Sequence, residues 1–245
     1  MSEYEKIESA RMRHERIFTP VVLRALGVQY AQAIAAMRAG ITTPENLIRE
    51  TPVSEAFRRM YSDTGLWFAK DAYRRIDRLT KDRAVELTGS WLDSMRAYIA
   101  TTGARQVRRI TDTTRRLVRS AIDDGAAKGW PIPRIATELQ KTWRKLSRSR
   151  SLVIARTETL SASNAGSLSA ARHIRGTLPD TQVMKVWMAG NDARTRISHR
   201  AANGQERDID EDFVVNGVAM AHPGDPKGGA GNVVMCRCAI SFRIE

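Results

Sequence analysis

Residues 182–189 read Gln-Val-Met-Lys-Val-Trp-Met-Ala, a pattern that alternates in the manner of a β-strand. The pattern begins soon after Arg175-Gly176, where a long helix-like stretch gives way to shorter segments. Short β-like pieces recur at 206–209, 213–215 and 238–244, and glycine and proline crowd the loops between them. This region therefore predicts a small α+β C-terminal domain with short strands and ordered loops.

The sequence before this region is predicted to be mostly helical, because glycine and proline are sparse and occur where helices are expected to begin or end. Residues 3–39 carry helix formers, and Pro20 is expected to kink or split this stretch. The basic segment 144–150 is interpreted as a helix end or a linker. Further helices are predicted at about 63–79, 83–99, 104–123, 133–145 and 151–175.

The predicted fold class is therefore α+β, with an extended helical N-terminal region at 1–124 and the C-terminal domain at 125–245. A chain of 245 residues suits one large domain or two small ones. We expect no membrane span, because no apolar run approaches about 18 residues, and no secretory signal, because the N-terminus is polar and acidic. Cys236 and Cys238 are the only cysteines, and their C-x-C spacing is poorly suited to an intrachain disulfide. We therefore expect a reducing compartment.

Positive charge is concentrated in the first part of the chain. The net charge is +13 overall, and residues 151–245 contribute only +1, from 11 Lys and Arg against 10 Asp and Glu. Residues 1–150 carry the other +12. A field of this size attracts polyanions, with nucleic acid first and an acidic protein surface second. Simple solubility is the alternative explanation.

An amphipathic pattern at 104–123 gathers six arginines on one predicted helix face. They are Arg105, Arg108, Arg109, Arg115, Arg116 and Arg119. Three interpretations stay open: the arginine stripe contacts DNA phosphates, docks on an acidic partner surface, or is simply solvated. No motif for base-specific recognition is present, so any DNA binding is expected to be non-specific.

The C-terminal third carries an ordered series of short polar motifs. They are Arg156-Thr157-Glu158-Thr159, Asn164, Trp187, Asp192-Ala193-Arg194-Thr195-Arg196-Ile197-Ser198-His199, Asn203-Gly204-Gln205, Phe213-Val214-Val215-Asn216-Gly217, Pro223-Gly224-Asp225-Pro226 and Cys236-Arg237-Cys238. In this order the motifs resemble the phage Mu F-like family of head morphogenesis (minor head) proteins, over about residues 125–243. One position departs from the pattern, because Met235 stands where the family usually has Asn before C-R-C.

The resemblance implies a structural component of a tailed-phage virion, located in the capsid interior or at the portal vertex, and in the host cytoplasm during assembly. It implies help with head assembly, DNA packaging or DNA delivery. The implied partners are the portal protein, other head proteins and packaged DNA. No catalysis and no cofactor are required for such a role.

The motif residues are interpreted as a structural network that locks the C-terminal domain. The network comprises Arg156, Glu158, Asn164, Trp187, Asp192, Arg194, Arg196, His199, Asp225 and Arg237. Residues spaced i,i+2 on a helix do not face each other, so Arg156 and Glu158 are each expected to pair with a distant residue. Asp192, Arg194 and Arg196 are examples of such partners.

Two other functions are weighed against this one. Arg156 and Glu158 could bind and polarise a nucleotide in an ADP-ribosyltransferase-like enzyme delivered with the genome. Alternatively, the basic region could belong to a non-specific nucleic-acid-binding protein with no virion role. Motifs of P-loop enzymes, zinc proteases and serine hydrolases are absent from the sequence.

A structural zinc site is a further hypothesis. Thiolate and imidazole are the ligands that zinc prefers, and His199, His222, Cys236 and Cys238 would complete a tetrahedron. The alternative, which is the default, is a pair of packed thiols or a local redox pair.

Overall fold

A computed structural model describes residues 1–79, 90–178, 180–190 and 192–244. The helices are Glu3–Arg38 (α1), Thr51–Asp77 (α2), Ser90–Tyr98 (α3), Ala104–Ala127 (α4), Ile132–Thr177 (α5), Ile197–Ala201 (α6) and Gly229–Val233 (α7). The strands are Val183–Met188 (β1), Glu206–Asp208 (β2), Phe213–Val215 (β3), Val218–Met220 (β4) and Ala239–Ile244 (β5). The α+β fold class predicted from the sequence is confirmed.

The strands form two small antiparallel sheets. In the larger sheet β1 lies between β2 and β5, and Trp187 pairs with Ile240 across the β1–β5 ladder. The strands β3 and β4 form a hairpin whose turn residues, Asn216 and Gly217, have φ of 53° and 72°. Positive φ at both positions suits the tight turn that matches strand twist, and Asn-Gly is the preferred pair for it. All four predicted strand segments lie where the sequence placed them.

A split of the first helix at Pro20 and a helix end or linker at 144–150 are both wrong, whereas a kink at Pro20 stays a prediction. The helix α1 continues through Pro20, which is exposed, while Phe18 and Val22 on either side are buried. Burial of this apolar face offsets the backbone hydrogen bond that proline removes. The segment 144–150 is also helical, as part of α5, because it contains no glycine or proline. The predicted helix at 83–99 lies partly outside the described residues, and its described part is α3.

The chain divides into two compact units, each built from separate segments of sequence. The mixed unit comprises Met1–Arg16, Met60–Ala100 and Arg156–Glu245, and contains both sheets. The helical unit comprises Ile17–Arg59 and Thr101–Ala155. The proposed boundary between 124 and 125 stays a prediction.

Each unit has its own apolar core. In the mixed unit, Trp187 of β1 and Phe213 of β3 are fully buried, together with Leu160 and Ile174 of α5. In the helical unit, the core includes Val118, Leu139 and Tyr30, whose ring centroid lies 4.6 Å from that of Trp143.

One helix, α1, contains an 18-residue window that is long and apolar enough to cross a membrane by length and composition alone. Core helices of soluble proteins pass the same test, and 39% of this window is buried within the protein. The expected absence of a membrane span therefore stays a prediction.

A close backbone approach in the mixed unit depends on two glycines. A Cβ atom added at Gly166 of α5 would lie 2.3 Å from the carbonyl oxygen of Gly65 in α2. It would also lie 2.9 Å from the Cα and carbonyl carbon of Gly65. Because the obstacle is backbone, the two helices cannot pack this closely with any larger residue at 166.

We expect Gly166→Ala to lower the free energy of unfolding by about 1–3 kcal/mol, because overpacking must separate α2 from α5. Gly176→Ala is the matched control, since Gly176 lies in the same helix and a Cβ there meets nothing within 4 Å. The control should be neutral or stabilising by up to about 1 kcal/mol. Urea unfolding of both variants checks this, and equal stability of the two would contradict the close packing.

Candidate site around His199, Cys236 and Cys238

Three side chains with metal-binding chemistry converge in the mixed unit. The Nδ1 atom of His199 lies 3.4 Å from Sγ of Cys236 and 3.4 Å from Sγ of Cys238. The three residues are at most 2% exposed, and their ligand atoms all lie within 4.8 Å of one another. Neither cysteine forms a disulfide. We call this group the thiol–imidazole cluster.

The backbone around the cluster is shaped by α6 and by the turn before β5. The guanidinium of Arg196, which directly precedes α6, donates to the carbonyl oxygen of Val234 at 2.6 Å. Met235 has a φ of 58°, and its N–H donates to the hydroxyl of Thr157 at 3.2 Å. Asparagine tolerates this left-handed conformation better than methionine does, which gives a physical reason for the Asn expected at this position.

Two polar side chains hold the Cys-Arg-Cys backbone in place. Buried Asn164 of α5 donates to the carbonyl oxygens of Pro223, at 2.9 Å, and Cys238, at 3.3 Å, and accepts from the N–H of Ile240 at 3.2 Å. Buried Arg11 of α1 donates to the carbonyl of Cys238 at 2.7 Å and to that of Arg237 at 2.5 Å. These contacts satisfy backbone groups that would otherwise be buried without partners.

The pKa values of the two thiols are shifted in opposite directions. A hydrogen bond from Cys238 and another from His199 hold the pKa of the Cys236 thiol well below its usual range. The pKa of Cys238 is raised, because it donates to Cys236 and because it is buried. The hydrogen bond between the two thiols thus lowers the pKa of the acceptor, Cys236, and raises that of the donor, Cys238.

The cluster forms the floor of a cavity of about 260 Å³. Four arginines line this cavity: Arg156, Arg194, Arg196 and Arg237. Arg156 pairs with Glu15, and Arg194 and Arg237 contact Asp192. An arginine-rich lining of this kind suits a small anion or a negatively charged side chain.

Arg156 and Glu158 do not pair with the partners expected from the sequence. Arg156 forms a bidentate ion pair with Glu15 of α1, with N–O distances of 2.6 and 3.0 Å. Glu158 is buried and accepts a hydrogen bond from the hydroxyl of Tyr61 in α2. The expectation of distant partners is met, but both partners come from N-terminal helices rather than from Asp192, Arg194 or Arg196.

The other predicted network residues differ in their roles. Trp187 is buried, and its ring meets those of His199 and Phe213 edge-on, at centroid distances of 5.6 and 5.4 Å. Asp225 accepts from the N–H groups of Ala221 and Lys227 at 2.8 and 3.0 Å and caps the short turn at 226–228.

Asp192 closes its own turn by accepting from Thr195 at 3.0 Å and from the N–H of Arg194 at 3.0 Å. It also lies 3.5 Å from the guanidinium of Arg237. The Arg194 side chain is 71% exposed, so it does not form part of a buried lock. His222 is not brought to the cluster, and its Nδ1 lies 3.0 Å from the carbonyl oxygen of Pro223 instead.

Sequence reasoning missed several residues that contact the motifs. In α1, Tyr4, Glu8, Arg11 and Glu15 are spaced i, i+4, i+7 and i+11, so they share one helix face. Tyr4 donates to the carbonyl of Arg237 at 3.2 Å. A polar row of this kind beside apolar Ile7 and Phe18 is a signal that the face is buried against polar groups. It does not identify those groups.

The predicted arginine stripe lies in the helical unit and divides into two sets. Arg115 is partly buried and donates to the carbonyl of Ile48 at 2.8 Å, whereas Arg119 pairs with Glu45 at 3.0 Å from a side chain that is 57% exposed. The other four, Arg105, Arg108, Arg109 and Arg116, are also exposed.

We expect Asn164→Ala to lower the free energy of unfolding by about 2–4 kcal/mol, because it removes three hydrogen bonds to buried backbone groups. Gln140→Ala, at an exposed position of the same helix, is the control and should stay within about 0.5 kcal/mol of the parent protein. Thermal and urea unfolding measure both. A loss below about 1 kcal/mol for Asn164→Ala would show that water replaces the side chain.

The chain is similar to known proteins over the region that carries these motifs. Residues 116–241, slightly more than half of the chain, match the family described as phage Mu protein F like protein. The chain is also 30% identical over 130 residues to minor head protein GP7 of Bacillus phage SPP1. That alignment covers 52% of this chain and 40% of the relative. No solved structure matches the chain. The matched residues include the thiol–imidazole cluster and Asn164, and the chain belongs to the phage Mu protein F like family.

Proposed function

We propose that this chain is a structural minor head protein of a tailed phage, assembled into the capsid interior at or near the portal vertex. The observation that carries the proposal is membership of the phage Mu protein F like family, together with similarity to a protein named as a minor head protein. The finer roles that we propose, in DNA packaging or DNA delivery, come from the family resemblance, and the charge of the helical unit is compatible with them.

Positive charge is even more localised in the structure than along the sequence. The helical unit holds 18 Lys and Arg against 7 Asp and Glu, a net charge of +11, which leaves +2 for the mixed unit. A capsid interior is filled with DNA phosphate, and lysine and arginine bind it with release of counterions. We propose that the helical unit faces packaged DNA and that the mixed unit provides the rigid, nearly neutral part of the protein.

The exposed arginines of α4 are the centre of this DNA-facing surface. The guanidinium groups of Arg108 and Arg109 form no hydrogen bond or ion pair with another residue that the structure describes, although the backbone carbonyl of Arg109 accepts from the Thr113 hydroxyl at 2.8 Å. Arg144 and Arg148 of α5, in the same unit, are also exposed. An acidic surface of the portal protein would be attracted to the same groups, so the DNA measurement below separates the two partners.

The contacts of Arg156 and Glu158 favour a structural role over an enzymatic one. Glu158 is 4% exposed and accepts from Tyr61, while Arg156 is held by Glu15. A nucleotide-binding pair would need both groups to face a common cleft, and Glu158 does not line the cavity that Arg156 lines. The ADP-ribosyltransferase-like alternative therefore loses the feature that suggested it.

We expect the chain to be present at low copy number in purified heads of the phage that encodes it. Mass spectrometry of heads and tails, separated after virion disruption, provides the measurement. Protease treatment of intact, DNA-filled heads should leave the chain uncut, and opening the heads should expose it. Absence from heads, or cleavage in intact heads, would contradict the proposal.

We expect the full chain to bind duplex DNA without sequence preference and with strong salt dependence. Four phosphate contacts from Arg105, Arg108, Arg109 and Arg116 predict a log–log salt slope of roughly −3.6, about −0.9 for each contact. Replacing all four by Gln should remove most of this slope. Fluorescence anisotropy with a labelled duplex at several salt concentrations measures it.

The matched control neutralises four exposed basic residues of the mixed unit, Lys6, Arg13, Lys70 and Arg74. It changes the net charge by the same amount but should leave the slope nearly unchanged. Equal losses in the two variants would show that net charge, and not a surface on the helical unit, drives DNA binding. Retained affinity in the first variant would favour an acidic protein partner for the arginines.

A further inference from the structure

We propose that His199, Cys236 and Cys238 bind a single zinc ion, with His199 Nδ1 and the two Sγ atoms as ligands and the fourth position open to the adjoining cavity. The proposal is independent of the phage role. It rests on the distances, burial and anchoring of the three side chains.

The spacing of the three ligand atoms fits one metal ion. Zinc lies about 2.0–2.1 Å from imidazole nitrogen and about 2.3 Å from thiolate sulfur, with tetrahedral angles. These values place a bound nitrogen about 3.5 Å from a bound sulfur. In the structure Nδ1 of His199 lies 3.4 Å from each sulfur, so both nitrogen–sulfur edges of the tetrahedron are already present.

The chemistry of the donors selects the metal. Thiolate and imidazole suit zinc, whereas magnesium and calcium require oxygen ligands, and no carboxylate belongs to this group. Thiolates bind copper(I) as well, so the metal analysis must separate zinc from copper. Binding would release to solvent the protons that the thiols carry.

The ligands are also anchored by residues outside the cluster. Arg11 and Asn164 hold the carbonyl of Cys238, and the ring of Trp187 meets the His199 ring at 90°. The fold therefore holds the ligand side chains in place before a metal binds, so binding requires little further loss of conformational entropy. Preorganised ligands of this kind favour tight binding.

The fourth position distinguishes this site from a closed structural site. His222, the fourth ligand expected from the sequence, contacts the carbonyl of Pro223 and is not part of the cluster. The cavity of about 260 Å³ borders all three ligands and is lined by arginines. Two thiolates neutralise the charge of one zinc ion, so the arginines favour an anion or an acidic side chain of a partner as the exchangeable fourth ligand.

The experiment measures metal in the full chain, purified without affinity tags that bind metals. We expect about one zinc per chain by mass spectrometry of the elements, and at least about tenfold less in Cys236→Ser/Cys238→Ser and in His199→Asn. His222→Asn is the matched control, since it removes a buried histidine outside the cluster, and it should retain zinc. Zinc retained in the serine variant, or lost equally in the control, would overturn the proposal.

A second measurement avoids variants that fail to fold. The parent chain is stripped with a chelator and titrated with Co²⁺, which reports its ligands by absorption. Two thiolates in a tetrahedral site should give an intense thiolate-to-cobalt charge-transfer band that saturates at about one equivalent and is displaced by zinc. Absence of this band in folded protein, or binding of copper in place of zinc, would overturn the assignment.

Discussion

The backbone of the Cys236–Cys238 segment is buried, and its carbonyl groups must find donors within the protein. Arg11 donates to the carbonyls of Arg237 and Cys238. Asn164 also donates to the carbonyl of Cys238 and accepts from the N–H of Ile240. An irregular segment that is buried without such donors would cost about 1–3 kcal/mol for each unsatisfied group. The position of the thiols, the start of β5 and the floor of the cavity all depend on these few charge-assisted and amide hydrogen bonds.

The two units use their arginines in different ways. In the mixed unit, Arg11, Arg156 and Arg196 are turned inward to carbonyl oxygens or to a carboxylate. In the helical unit, Arg115 donates to the carbonyl of Ile48 and the exposed Arg119 pairs with Glu45, but most of the positive charge remains on the surface. A high arginine content therefore does not by itself indicate DNA binding. The informative quantity is the charge that remains exposed after the internal pairs are formed.

The sequence predicted the strands well because their signals are local. Alternation at 182–189, and turn residues such as Asn216-Gly217, act over a few residues, and the strands appear where these signals place them. The predicted split of α1 is wrong because the cost of Pro20 is local, whereas the compensating burial of α1 depends on tertiary packing. The C-x-C spacing and His199 were recognised as metal-binding chemistry, but spacing alone could not show that His222 lies apart.

The partners of the motifs could not be predicted, because they come from parts of the chain that carry no motif. Arg11, Glu15 and Tyr61 lie outside residues 116–241, which the family match covers, yet they contact the Cys-Arg-Cys backbone, Arg156 and Glu158. Pairing of this kind requires only a cation, an anion or a hydroxyl at the right place on a helix face. Many helical sequences can provide these groups, so the residues that pair with the motifs do not themselves form a recognisable sequence motif. A family member with a different N-terminal helix would need an equivalent donor to the same carbonyls, because buried backbone carbonyls require hydrogen-bond donors whatever the surrounding sequence.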